Sequence, residues 1–163
     1  MNILAVNLLF AISWSFFFAS FDALTLGSGL VLGYAVLWIL QPLTGSQSTY
    51  FLRVWYWIKL IVLFHYELIA SSVIVLRDIL TPEHLACPAI IEMPLSVKSD
   101  AGILLVTNLI SLTPGTLSIE VSDDRKTLQL HAMFADDPEA VCRQLKDGME
   151  RWVIDALGER DIG

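Results

Sequence analysis

The chain has 163 residues, 55% of them hydrophobic, and a formal net charge of -7. Its apolar residues concentrate before residue 80, which excludes a single evenly mixed globule and implies two regions that meet different solvents. From Met1 to Thr81 the charged residues are Asp22, Arg53, Lys59, Glu67, Arg77 and Asp78, whereas Pro82 to Gly163 carries fourteen acids against seven bases. That acidic half argues against nucleic acid or anionic headgroups as its partner, because both are bound through Lys and Arg.

In chain order, the N-terminus lacks a basic region and a small-residue cleavage site, so the first helix is expected to be retained. A membrane-embedded helical region is expected over 1–80, with helices at about 3–20, 23–40 and 52–77. The first two are uncharged and form an antiparallel hairpin about Phe21-Asp22. At roughly 1.5 Å per residue each reaches about 26 Å, a marginal span for a ~30 Å hydrocarbon core, which implies local thinning or shelter by partner proteins. Ala11, Ser15 and Ala19 recur every fourth position, with Asn7 a turn earlier, and Gly29 and Gly33 form a Gly-x-x-x-Gly. Such small faces let helices approach closely in lipid, within the hairpin or against another subunit.

Gln41 to Thr49 reads as an exposed loop. The third helix opens on an aromatic cluster (Tyr50, Phe51, Trp55, Tyr56, Trp57) suited to a membrane interface and closes at Arg77-Asp78. Its intramembrane polar candidates are Lys59, His65 and Glu67. Lys59 can snorkel. It lies eight residues from Glu67, about 12 Å along the axis, too far to pair with it, so a partner for Glu67, if charged, is expected on another chain. Glu67 is either a proton or cation relay or a structural hydrogen-bonding group; one carboxylate does not make a path, which favours the structural role. Ser71, one turn on, can bond it, while His65 faces some 160° away. Arg53 and Arg77 flank opposite ends of this helix, so charge bias leaves the sidedness open.

Residues 82–163 read as a soluble α/β domain of order βαββα. Ala89 to Val97 is β-rich; Ser99 caps an apolar helix running to Leu112, which should be covered on most faces; Thr113-Pro114-Gly115 stops it. Thr116 to Val121 and Thr127 to Met133 form a hairpin about Ser122 to Lys126, and Asp136-Asp137-Pro138-Glu139 opens a final helix. Cys87 and Cys142 lack metal-ligand spacing and read as reduced, buried thiols. There is no Gly-rich phosphate loop, nucleophile elbow or His-Glu-x-x-His, hence no catalytic residue, metal or cofactor is assigned. His131 sits within a strand as a structural residue.

The block Asn108-Leu109-Ile110-Ser111-Leu112-Thr113-Pro114-Gly115-Thr116, followed by Ser122 to Leu128 and His131-Ala132-Met133, resembles the E subunit of Mrp-type multisubunit cation/proton antiporters. Thr107 and Gln129 depart from it, standing where the family often has Ala and an aromatic. The resemblance implies an accessory subunit of a bacterial inner-membrane complex exchanging Na⁺, or in some versions K⁺, for protons. Transport would belong to larger subunits, with this chain serving assembly and stability, or the cation path as well. It further implies other complex subunits and the bilayer as partners, a cytoplasmic C-terminal domain and a multi-pass N-terminal half. The family signature falls on Asn108, Thr113, Pro114, Gly115, Thr116, Arg125, Lys126 and His131, where a fold or docking role outweighs ion binding. The alternative is a freestanding membrane-anchored module whose acidic domain recruits a soluble partner.

Overall fold

The computed structural model describes residues 3–44, 49–82 and 86–159. Its packing divides the chain into two compact units, Met1–Val54 and Trp55–Gly163.

The first unit holds α1 (Ile3–Phe17), α2 (Ala23–Thr44) and the start of α3 (Thr49–Leu80). Asp22 caps α2: its carboxylate accepts the Thr25 N–H at 2.6 Å and the Ser20 hydroxyl at 3.1 Å, and its carbonyl takes the Leu26 N–H. The expected bounds shift at three places. α1 stops at Phe17, so Ala19, at φ 50, lies exposed in the turn and not on the packing face. α2 continues through Gln41 to Thr44, where a loop is expected, because Pro42 sits in the last turn and removes only one helical N–H there. α3 begins at Thr49, while 45–48 of the expected loop lie outside the described residues.

The hairpin closes on its glycines. A Cβ on Gly29 would stand 2.9 Å from the Ala11 Cα, and one on Gly33 would stand 2.2 Å from the Asn7 Oδ1 and 3.0 Å from the Phe10 Cβ. Asn7, Ala11 and Ser15 are buried on the facing side of α1. The Trp14 indole N–H donates to the Ser28 hydroxyl at 3.2 Å, and the Asn7 amide donates to the Tyr50 hydroxyl at 2.9 Å. Phe51 is buried against the edge of Tyr34, whereas Trp55 and Trp57 are exposed, so the aromatic cluster divides between packing and surface. α2 and α3 are long and apolar enough to cross a membrane; α1, at 15 residues and about 22 Å, is not.

The second unit contains the rest of α3 and the α/β domain: β1 (Ala89–Pro94), α4 (Asp100–Leu112), β2 (Thr116–Val121), β3 (Thr127–Ala132), α5 (Pro138–Leu145) and α6 (Arg151–Leu157). The strands form an antiparallel sheet of order β1-β3-β2, with a bulge between Ser118 and Glu120. The expected βαββα order is present. Its last helix is broken by a π turn at Lys146–Glu150, a local departure from 3.6-residue winding that the amphipathic pattern does not announce.

Met93, Val106, Ile110, Leu128, Leu130 and Val153 are fully buried, and Leu60 of α3 joins the same cluster with Tyr56 and Phe64 packed against it. The Ser99 hydroxyl accepts the Gly102 N–H at 3.0 Å, and Asp137 accepts the Ala140 N–H at 3.0 Å with Pro138 in the first turn of α5. Two expectations fail here. α4 is covered on one face only, leaving Leu104 and Leu112 64% and 63% exposed, because only one side of it meets the core. Cys87 is exposed rather than buried: it forms a single bridge to Phe134 outside the sheet core.

The hairpin contacts predict that Gly29→Ala forces the two helices apart, costing about 1–3 kcal/mol. A methyl group at Gly27 would meet nothing within 4 Å, so Gly27→Ala should be neutral or slightly stabilising through helix propensity. Melting of the two detergent-solubilised variants checks the contrast; equal behaviour would refute the close-packing account.

Candidate functional site

The signature residues are distributed over three places. Thr113-Pro114-Gly115-Thr116 forms the turn from α4 into β2. The last carbonyls of a helix lack intrahelical donors, and here threonine side chains supply them. The buried Thr113 hydroxyl donates to the Leu109 carbonyl at 2.9 Å and lies 4.0 Å from the Met149 sulfur; the Thr116 hydroxyl donates to the carbonyls of Ile110 at 2.6 Å and Thr113 at 3.0 Å. Gly115 has φ 90, its carbonyl accepts the Met133 N–H at 2.7 Å, and the Phe134 ring lies 3.3 Å from where a Cβ would stand. Only glycine adopts that backbone without strain, which explains its place after the proline.

Arg125 and Lys126 belong to the β2–β3 turn. Arg125 takes the left-handed φ of 60 and pairs with Asp100 in the first turn of α4. The Lys126 carbonyl accepts the Leu95 N–H at 2.7 Å. Asp124 receives the Ser122 hydroxyl at 2.6 Å and the Lys126 N–H at 3.1 Å; these bonds hold its carboxyl below the usual 3.8. His131 is half-buried in the central strand between Ile90 and Leu117, and Asn108 turns its amide back to the Leu104 carbonyl at 2.8 Å on the outer face of α4. Asn108, Thr113, Thr116 and Arg125 thus bond within the domain through their side chains, and Gly115 turns its backbone.

The Thr113–Thr116 turn borders a groove of about 350 Å³ that is also lined by Glu67, Ser71 and Ile74 of α3 and by Phe134 and Gln144. The Glu67 carboxylate accepts the Gln144 amide at 2.9 Å. Its partner is thus neutral and lies on the same chain. Ser71 donates to the Glu67 backbone carbonyl at 2.7 Å, not to the carboxylate. His65 is exposed, with Nδ1 2.7 Å from the Ile61 carbonyl, and Lys59 is exposed, so the structure does not bring the three polar residues of α3 together. Among the described residues no group of three or more His, Cys, Asp or Glu side chains is placed to hold a metal.

Two acidic anchors escape sequence reasoning. Glu150, 1% exposed, accepts the N–H groups of Ser96 and Val97, the latter at 3.0 Å, with the Lys146 ammonium 3.9 Å away. That ammonium also donates to the Pro94 carbonyl at 2.6 Å and the Ser96 hydroxyl at 3.2 Å. The Lys146/Glu150 spacing of four residues was the available signal. Glu159 accepts the Lys98 N–H at 2.9 Å, the Ser99 N–H at 3.3 Å and the Ser99 hydroxyl. Burial pushes its carboxyl upward, but the Ser99 and Lys98 bonds together outweigh that and leave it below the usual 4.5.

The chain is thus mostly helical, with two helices long and apolar enough to cross a membrane and a small α/β domain built on three strands. The sequence profile of the Na+/H+ ion antiporter subunit family matches residues 7–156, and the chain belongs to that family. It is 36% identical over 150 residues to the E subunit of the Na(+)/H(+) antiporter of Alkalihalophilus pseudofirmus, covering 92% of this chain and 94% of that one. It is 30% identical over 154 residues to the E1 subunit of the Na(+)/H(+) antiporter of Staphylococcus haemolyticus, covering 94% and 96%. In fold it is similar to a chain of the membrane-bound sulfane sulfur reductase, an archaeal respiratory membrane complex, with a TM-score of 0.56, 23% identity, and 93% and 96% coverage.

Gly115→Ala should destabilise the α/β domain by about 1–2 kcal/mol, the cost of a side chain in left-handed backbone, read as a lower melting temperature of the full chain. Because the Glu159 carboxyl is depressed in the fold, its contribution is present above the ordinary 4.5 and is lost as pH falls through its lower folded value. Glu159→Gln should therefore flatten the acid limb of the pH–stability curve below about pH 4.5. An unchanged acid limb would remove Glu159 from that role.

Proposed function

We propose that this chain is an accessory subunit of a multisubunit Na⁺/H⁺ antiporter in the bacterial cell membrane, supporting assembly and exchange without itself carrying the ion. The observation that carries this reading is the family match over residues 7–156, joined by relatives named as antiporter subunits along nearly their whole length. Residues 1–80 serve as the membrane-associated part and 82–163 as a cytoplasmic domain. The other subunits of the complex are its partners.

The signature residues act in this reading through fold and docking, as their bonding supports: Thr113 and Thr116 finish α4, Gly115 turns the chain, and Arg125 ties the hairpin to α4. Glu67 takes the structural role, because Gln144 already engages its carboxylate. A place for Glu67 on an ion path would instead require Glu67→Gln to abolish exchange in a complex that still assembles.

Na⁺-dependent proton movement in everted vesicles from cells lacking this chain, with the other antiporter subunits followed by blotting, tests the assignment. Exchange and the assembled partners should be lost together, and both should return on complementation. Exchange persisting in an intact complex would overturn the reading in favour of an anchored binding module.

A further inference from the structure

We propose that α3 does not cross the membrane: it lies along the cytoplasmic surface, with the α/β domain seated on one side and lipid taking the other. The proposal rests on the membrane location of the accessory-subunit reading, though not on exchange activity.

By length and apolarity α3 qualifies as a span, but its packing conflicts with one. Leu60, only 4% exposed, enters the domain core with Tyr56 and Phe64 packed against it, and Glu67, Ser71 and Ile74 continue the same side along the groove. These residues recur every three or four positions, one face of a helix. From Tyr56 to the half-buried Ser71 the covered length is about 22 Å, most of the ~30 Å thickness of a hydrocarbon core. A crossing helix would carry α5 into that layer, together with Glu139 and Arg143, whose side chains are 88% and 63% exposed beside Gln144. Charged groups at that depth cost several kcal/mol each, and so do polar backbone groups left without partners.

The opposite side of α3 is a continuous apolar stripe. Ile58, Val62, Ile69, Val73, Leu76 and Leu80 are each between 50% and 72% exposed, with His65 and Tyr66 on its two flanks. The exposed charges beside the stripe, Lys59 and Arg77, have one sign, whereas Asp78 is 4% exposed and Glu67 is half-buried under Gln144. Lys59 and Arg77 are eighteen residues, five whole turns, apart and project on the same side. An acidic chain thus presents, on this helix, an apolar and cationic surface, which is the complement of anionic headgroups over acyl chains.

The arrangement also removes a conflict in charge bias. A crossing α3 puts Arg53 and Arg77 on opposite sides of the membrane. Lying in the plane, it keeps Arg53, Lys59 and Arg77 on the cytoplasmic side, as the positive-inside rule requires.

Depth measurements on the full chain, purified with its co-assembled subunits in phosphatidylethanolamine/phosphatidylglycerol vesicles, test this directly. In a Cys87→Ser, Cys142→Ser background, nitroxides are attached at Ile58→Cys, Val62→Cys, Val73→Cys and Leu76→Cys. All four positions are already exposed, so the fold is spared, and carbonate-resistant membrane retention of each variant verifies it. Collision with oxygen and with a water-soluble nickel chelate should place all four at one shallow depth. A depth that changes by about 1.5 Å per residue, about 27 Å from Ile58 to Leu76, would show a span and overturn the proposal. Shielding from both quenchers would also overturn it, by showing that a protein partner covers the stripe. Release of the unlabelled chain from membranes by carbonate would instead defeat the accessory-subunit reading on which the proposal stands.

Discussion

Leu60 sits in the middle of a long apolar helix and yet finishes in the core of an acidic α/β domain, in the same buried cluster as Met93, Val106 and Leu130. Burying one leucine contributes on the order of 1.5–3 kcal/mol, and Tyr56 and Phe64 add to it from neighbouring turns. The consequence is geometric as much as energetic. Once α3 provides part of the domain's core, the helix has only one free side. The remaining polar features of α3 follow from that division, with Glu67 against Gln144 and the basic side chains exposed.

Polar groups within the hairpin obey a different rule. Asn7 and Ser15 are buried where α1 and α2 meet, and the Asn7 Oδ1 and Ser15 Oγ have no conventional hydrogen-bond donor among the described residues. The Asn7 oxygen faces the hydrogen-bearing Cα of Gly33, a geometry suited to a weak C–H···O contact that any side chain at position 33 would displace. The Asn7 amide donors are directed elsewhere, to Tyr50. Gly33 is needed for the space it leaves rather than for its backbone freedom.

What could be read from sequence was whatever depends on near neighbours. Ser99 and Asp137 cap helices because a short oxygen side chain reaches an N–H three residues away, and Pro114-Gly115 ends α4 through local dihedral limits. The βαββα order came from the same signals. The features that were not legible depend on distant residues. Gln144 is 77 positions from Glu67, and Glu150 is more than 50 from the N–H groups it holds, so no spacing rule joins them. Leu60 reads as one more lipid-facing leucine until the sheet that covers it is assembled. Local rules also misplaced Pro42, which α2 carries within its last turn at the loss of one N–H donor.

The π turn at Lys146–Glu150 has a consequence for chain length. The Arg151 N–H reaches back five residues to the Lys146 carbonyl, so the backbone there holds one residue more than regular winding requires. The turn takes up that extra residue locally, and Leu145, Met149, Val153 and Ala156 are all buried across the break. Removing one residue from this stretch would restore ordinary winding and leave α6 in nearly the same rotational phase, with Val153 and Ala156 still facing the core. The segment thus absorbs a one-residue change of length that would turn an uninterrupted helix by about 100°.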